Sequence, residues 1–222
     1  MEQKIKRFLL VCIALSMVCS GCAIFKKKET ESAEELVRKG MEQFNNKNYK
    51  TALEHFEKLR DWYPFSKYAI LAELKIADSH YHLKEYEDAI FAYEEFIELH
   101  PRNEAIPYVI YQIGRCYFDR MDTIDRDQSV TRKALETFQR LNEKYPNNPY
   151  ALKVEKHINE CLRSLAGHEL YVGRFYYKTK HYKAALYRFK AVLTKYPDVG
   201  LHQKALQYIS LCEQAMAKQQ SN

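Results

Sequence analysis

The chain reads as an all-α array of about ten antiparallel helices in five pairs, and three recurring patterns predict it. A small residue followed four positions later by an aromatic one occurs as Ala52 and Phe56, Ala89 and Tyr93, Ala134 and Phe138, and Ala185 and Phe189. Twelve residues after each alanine stands Pro64, Pro101, Pro146 or Pro197, preceded by Tyr63, His100, Tyr145 or Tyr196. Upstream, Gly40, Ala77, Gly114 and Gly173 are each followed four positions later by Phe44, Tyr81, Phe118 or Tyr177. A small residue lets two helices approach closely, and an aromatic one turn on fills the gap beside it. A proline cannot continue the helix, so each copy is a hairpin with a punctuated end.

In units one, two and four the two small residues lie twelve positions apart, and Tyr49, Tyr86 and Tyr182 stand near the turn. With the closing proline, this spacing resembles the 34-residue tetratricopeptide (TPR) repeat. The resemblance implies a right-handed superhelix of stacked hairpins.

In chain order, Lys4, Lys6 and Arg7 precede an apolar run from Phe8 to Val18, which is too short to span a bilayer stably and reads as a signal peptide over residues 1–21. Ser20-Gly21-Cys22 resembles the lipobox of bacterial lipoproteins, although Cys19 stands where that family usually has leucine. Cys22 is therefore the expected lipidation site, carrying palmitate-type acyl chains, and no other cofactor is expected. A redox or zinc CxxC of Cys19 and Cys22 is the competing reading, set aside because the pair lies in a segment destined for removal. Ala23 follows the cysteine; where sorting depends on that position, aspartate would favour inner-membrane retention, so alanine points to the outer membrane. Residues 22–32 form a polar tether. The helices are expected at about 33–46, 49–61, 66–83, 86–99, 104–120, 128–144, 149–164, 167–180, 182–195 and 200–217. These divide into N-terminal repeats over 33–146 and C-terminal repeats over 147–218. The helix at 149–164 lacks the small-residue signature and is expected to shift the pairing there. Gly114 and Ala134 are eight residues further apart than their counterparts, so the segment around DRMDTIDRDQSV must bulge between two helices.

Removing residues 1–21, with three basic groups and one acidic, lowers the formal charge from +6 to +4. Apart from Cys22, the remaining chain holds Cys116, Cys161 and Cys212, an odd number at unrelated repeat positions, read as buried small hydrophobes. Catalytic and metal motifs fail one by one. His168-Glu169 begins like HExxH, but Val172 occupies the second histidine position. His80 and His82 are two apart on a helix and point away from one another. Asp125, Asp127, Ser129 and Glu136 echo an EF-hand loop, but Val130 replaces the glycine its turn requires. With no phosphate-cradling loop or nucleophile elbow, an enzyme would need a constellation invisible in sequence.

Binding surface remains. In TPR folds the first helix of each unit lines the concave groove, and the corresponding positions here are Leu74, Asp78 and Tyr81 in unit two and Tyr108, Tyr111 and Arg115 in unit three. An aromatic groove with an arginine suits an extended peptide with a free carboxylate; the alternative is that these tyrosines simply pack against neighbouring helices. Charge is segregated as well: the stretch from Glu85 to Leu99 carries no Lys or Arg, and that from Leu170 to Pro197 carries no acid. In the second, Lys178, Lys180 and Lys183 gather at the turn as steering charges. Arg188 lies on a side expected to be free of core contacts, as an anchor for an acidic protein surface rather than nucleic acid.

The lipobox, the repeats, the segment Tyr63-Pro64-Phe65-Ser66-Lys67-Tyr68 and the long loop with Asp125-Arg126-Asp127 together resemble the BamD family of outer-membrane β-barrel assembly lipoproteins. That resemblance implies a non-catalytic, periplasm-facing subunit. Its N-terminal repeats would receive the C-terminal β-signal of unfolded outer-membrane proteins. Its C-terminal repeats would dock BamA through a POTRA domain, beside other subunits of the machine. A secretin pilotin with similar repeats, or a cell-wall lipoprotein enzyme, is the alternative.

Overall fold

This computed structural model describes residues 31–220, which contain ten helices and no strand. The signal peptide, Cys22 and residues 23–30 of the tether lie outside the described residues. The helices are α1 (Ala33–Asn45), α2 (Tyr49–Trp62), α3 (Ala69–His82), α4 (Tyr86–Leu99), α5 (Ile106–Phe118), α6 (Ser129–Lys144), α7 (Pro149–Lys153), α8 (Glu155–Lys178), α9 (Tyr182–Lys195) and α10 (His202–Gln220).

Close approach within the hairpins is literal. A Cβ built on Gly40 would lie 2.7 Å from Phe56, and one on Gly173 would lie 2.6 Å from Phe189; Gly114 faces Phe138 in the same way. Each phenyl ring therefore occupies the volume that a methyl group would need. Unit two departs in both members, with Ala77 opposite a tyrosine, Tyr93.

The tight hairpin turns repeat as well. Lys47, Lys84 and Lys180 take φ of 62°, 63° and 63°. Their N–H groups donate to Phe44, Tyr81 and Tyr177, and those of the next residues to Gln43, His80 and Tyr176. This is the Schellman arrangement, in which a left-handed residue lets the last helical carbonyls find partners. At the far end of each unit the residue before proline cannot stay helical. Tyr63, His100 and Tyr145 accordingly share φ near −135°, −128° and −137° with ψ of 54–55°, whereas Tyr196 is extended at ψ 143°.

One boundary differs from the sequence reading. Instead of separate helices over 149–164 and 167–180, the chain bends at Val154 after the five-residue α7, and α8 then runs unbroken for 24 residues. No proline interrupts the stretch from Ser164 to Gly167, and Leu165, Ala166 and Gly167 are buried. Gly167 marks a contact: a Cβ there would lie 3.2 Å from Ile124 of the long loop.

Three cores form along the array. Leu36, Phe56, Leu59 and Ile76 centre the first; Tyr93, Phe96, Ile113 and Phe138 the second; Leu170, Phe189 and Val192 the third. α8 serves two of them, with Cys161 in the second core and Ala166 and Leu170 in the third. α10 closes the array by stacking Tyr208 on Phe189, centroids 4.8 Å apart. No described helix is long and apolar enough to cross a membrane.

Candidate functional site

The second and third units are tied together by a carboxylate. Asp78 on α3 is 2% exposed, and its Oδ1 accepts hydrogen bonds from the hydroxyls of Tyr93 on α4 and Tyr108 on α5, each at 2.7 Å. Lys75 Nζ lies 2.8 Å from its Oδ2. Burial, followed by the charge of Asp78, pushes the hydroxyls of Tyr93 and Tyr108 well above the usual phenol range, so both remain donors. Above this buried network is an open cleft lined by Leu74, Lys75, Asp78, Glu104, Ala105, Tyr108 and Tyr150. Three of the residues anticipated from sequence, Leu74, Asp78 and Tyr108, thus share one cleft.

Tyr81, Tyr111 and Arg115 form a second cluster further along. Tyr81 donates to Asp119 Oδ2 at 2.6 Å, and Arg115 lies 3.2 Å from the same oxygen. Arg115 also reaches the Tyr111 hydroxyl at 3.4 Å and lies 5.9 Å from the centre of the Tyr81 ring. The guanidinium is therefore occupied internally rather than open, but at long distances, and its Nε is buried without a partner. Tyr150 connects the two clusters, with its ring 5.3 Å from Tyr108 and 5.4 Å from Tyr111.

Sequence reasoning missed Asp119 and Tyr150. Asp119 was findable, because it lies four residues after Arg115 on one helical face. Tyr150 was not: it sits on α7, which carries no repeat signature.

At the C-terminal hairpin Lys178, Lys180 and Lys183 are exposed. Arg188 differs from the expectation. It pairs at 3.0 Å with Glu169 of α8, whose side chain is only 12% exposed. Glu169 lies one residue outside the acid-free stretch, and the antiparallel hairpin brings it back against α9. The exposed face instead holds Tyr171, Arg174, Phe175 and Lys178, which line a shallow hollow on α8.

The motif fragments have structural uses. His168 Nδ1 is 2.7 Å from the Ile124 carbonyl, so the two residues of the failed HExxH brace the loop and pair with Arg188. In the loop, Asp127 accepts from the Ser129 N–H and Asp125 from the Thr123 hydroxyl, closing local turns. His80 and Glu85 form a 2.7 Å pair with Asp88 nearby. Cys116, Cys161 and Cys212 are free and buried, and burial pushes the Cys116 and Cys161 thiols up to about 12, which keeps them protonated and unreactive.

A family model described as YfiO, outer membrane lipoprotein, matches residues 29–222. The outer membrane protein assembly factor BamD of Rickettsia prowazekii is 30% identical over 94% of this chain and 90% of its own length. The chain belongs to the BamD family. The BamD of Caulobacter vibrioides is also 30% identical, over 89% of this chain, which spans 66% of that relative's length. Among solved structures, the first TPR of Spaghetti (RPAP3) bound to an HSP90 peptide aligns with a TM-score of 0.45 at 20% identity, covering 60% of this chain and 95% of that one. BamD proteins are named as assembly factors, a non-enzymatic family associated with the outer membrane.

Proposed function

We propose that this BamD-family protein is a lipid-anchored, periplasm-facing scaffold that holds the C-terminal segments of unfolded outer-membrane proteins between units two and three, and docks a POTRA domain of BamA on its C-terminal repeats. The observation that carries the peptide reading is the continuous run of Tyr108, Tyr150 and Tyr111 rings ending at the Arg115–Asp119 pair. The rings offer stacking area for an extended chain, and the arginine lies where a terminal carboxylate would follow. Charge-assisted hydrogen bonds are shorter, about 2.7–2.9 Å, than the 3.2 Å contact of Arg115 with Asp119, so a better-placed carboxylate can compete for the guanidinium. For the partner, Tyr171 and Phe175 supply an apolar centre and Arg174 and Lys178 a basic rim, the pattern of an interface for an acidic surface. With Glu169 holding Arg188 in place, the anchoring role passes to Phe175 and Arg174.

The test is peptide binding by calorimetry, using a peptide ending in an aromatic residue as free acid and as amide. Asp119→Asn should strengthen the free-acid form roughly three- to thirtyfold by releasing Arg115, about 0.7–2 kcal/mol, leaving the amide unchanged. Arg115→Ala should abolish the preference. Equal affinities for acid and amide in all three proteins would overturn the peptide reading.

A further inference from the structure

The end of unit one differs from its counterparts in one chemical respect. The residue after the closing proline is Arg102, Asn147 or Asp198 in the later units but Phe65 in the first. Phe65 is 101% exposed, and Trp62, three residues earlier, is 51% exposed. Neither lies in a loose loop. Ser66 N–H donates to the Tyr63 carbonyl and Ala69 N–H to Ser66, each at 2.9 Å, while Tyr68 N–H donates to Ser66 Oγ at 3.2 Å. The turn thus projects a phenyl ring into solvent from an ordered backbone, an arrangement that folding by itself does not favour.

The tether meets this same corner. Tyr63, between the two exposed aromatics, donates from its hydroxyl to the Glu31 carbonyl at 2.8 Å. From Cys22 to Glu31 is nine residue steps, a span of at most about 32 Å when fully extended. The charges around the corner are also accounted for. Glu31 is paired with Lys39 and Arg60 with Asp61, whereas Lys67 is exposed with its ammonium over Tyr68, and Lys26, Lys27 and Lys28 stand in the tether. A lysine beside an aromatic edge, with three more in the sequence between it and an acyl anchor, suits a bilayer surface carrying anionic phospholipid.

We propose that Trp62 and Phe65 form a second membrane contact, seated at the interface of the phospholipid leaflet that holds the acylated Cys22, so that unit one is oriented against the bilayer rather than tumbling on its tether. This rests on the lipid-anchor reading above. One acyl-type attachment gives position but not orientation; an aromatic pair on a rigid turn adds the second point.

Trp62 is the protein's single tryptophan, so its fluorescence reports this corner alone. The full-length lipidated protein is reconstituted into phosphatidylethanolamine–phosphatidylglycerol vesicles, with and without acyl chains brominated near the headgroup, and floated. We expect the protein to float, with emission moved to shorter wavelength and quenched roughly twofold or more by brominated lipid, as befits an interfacial tryptophan. Phe65→Ser, at a fully exposed site, should reduce the quenching while leaving flotation intact. Flotation with unquenched, iodide-accessible Trp62 would overturn the membrane contact while leaving the anchor standing. Failure to float would remove both. Shielding from iodide without quenching by brominated lipid would mean that protein covers the corner, and would equally overturn the inference.

Discussion

Asp78 is the most demanding single residue of the groove, because a carboxylate that is 2% exposed loses several kcal/mol of hydration on burial. Three donors from three helices offset that loss: Lys75 of its own helix, Tyr93 and Tyr108. The same logic governs Glu169, whose side chain is 12% exposed and whose cation is Arg188. Removing that cation leaves a mostly buried carboxylate without its partner. Arg188→Ala should therefore lower unfolding free energy by about 1–3 kcal/mol, while Lys183→Ala, at an exposed position, should stay within about 0.5 kcal/mol. Urea denaturation of the two variants checks this. If Arg188→Ala keeps wild-type stability, the ion pair contributes nothing and the residue is again available as an anchor for a partner.

Among the elements, the long loop between α5 and α6 carries the strongest local argument. Gln128, 1% exposed, uses both ends of its amide: Nε2 donates to the carbonyls of Thr123 and Arg126 at 3.0 and 3.1 Å, and Oε1 accepts from Thr131 and Ser164 at 3.1 Å. Its side chain thus ties the loop to itself and to α8. Gln128→Ala should cost about 2–4 kcal/mol, from four hydrogen bonds of about 1 kcal/mol each, and should raise hydrogen exchange across 119–128 in particular. Unchanged exchange there would show that Ile124 packing on Gly167 suffices. This element also shows where sequence reading stops. The hairpins were legible because each depends on residues four or twelve positions apart, and the failed metal motifs were legible because single positions, Val172 and Val130, exclude them. The loop's docking depends on Gln128 meeting Ser164 and Ile124 meeting His168, separations of 36 and 44 residues with no periodicity to announce them. The same blindness turned Gly167 into a helix boundary. In the groove, three of the six anticipated residues line one cleft, but the internal partner of Arg115 was overlooked even though Asp119 stands at helical spacing.

For the whole molecule, α8 decides whether the array behaves as one body or two. Hairpin solenoids gain stability from nearest-neighbour contacts, so a change at one end normally reaches the other only through every unit between. Here a single helix of 24 residues, about 36 Å long, contributes Cys161 to the second core and Ala166 and Leu170 to the third. It also bears the exposed Tyr171–Phe175 face near its end, while α7, just before it, presents Tyr150 to the groove. The cleft lined by Tyr150 and the exposed Tyr171–Phe175 face are therefore linked through α7, the bend at Val154 and α8. Arg163 lies between the two core segments and is exposed, so proline there would break the helix without opening a cavity. Arg163→Pro should cost about 3 kcal/mol and split unfolding into two transitions, with α9 and α10 losing amide protection before α3 to α6. Arg163→Ala, which keeps the helix, should unfold in one transition near the wild-type midpoint. If Arg163→Pro also melts in a single step with uniform loss of protection, the two cores are coupled through the loop bound to His168 rather than through the continuity of α8.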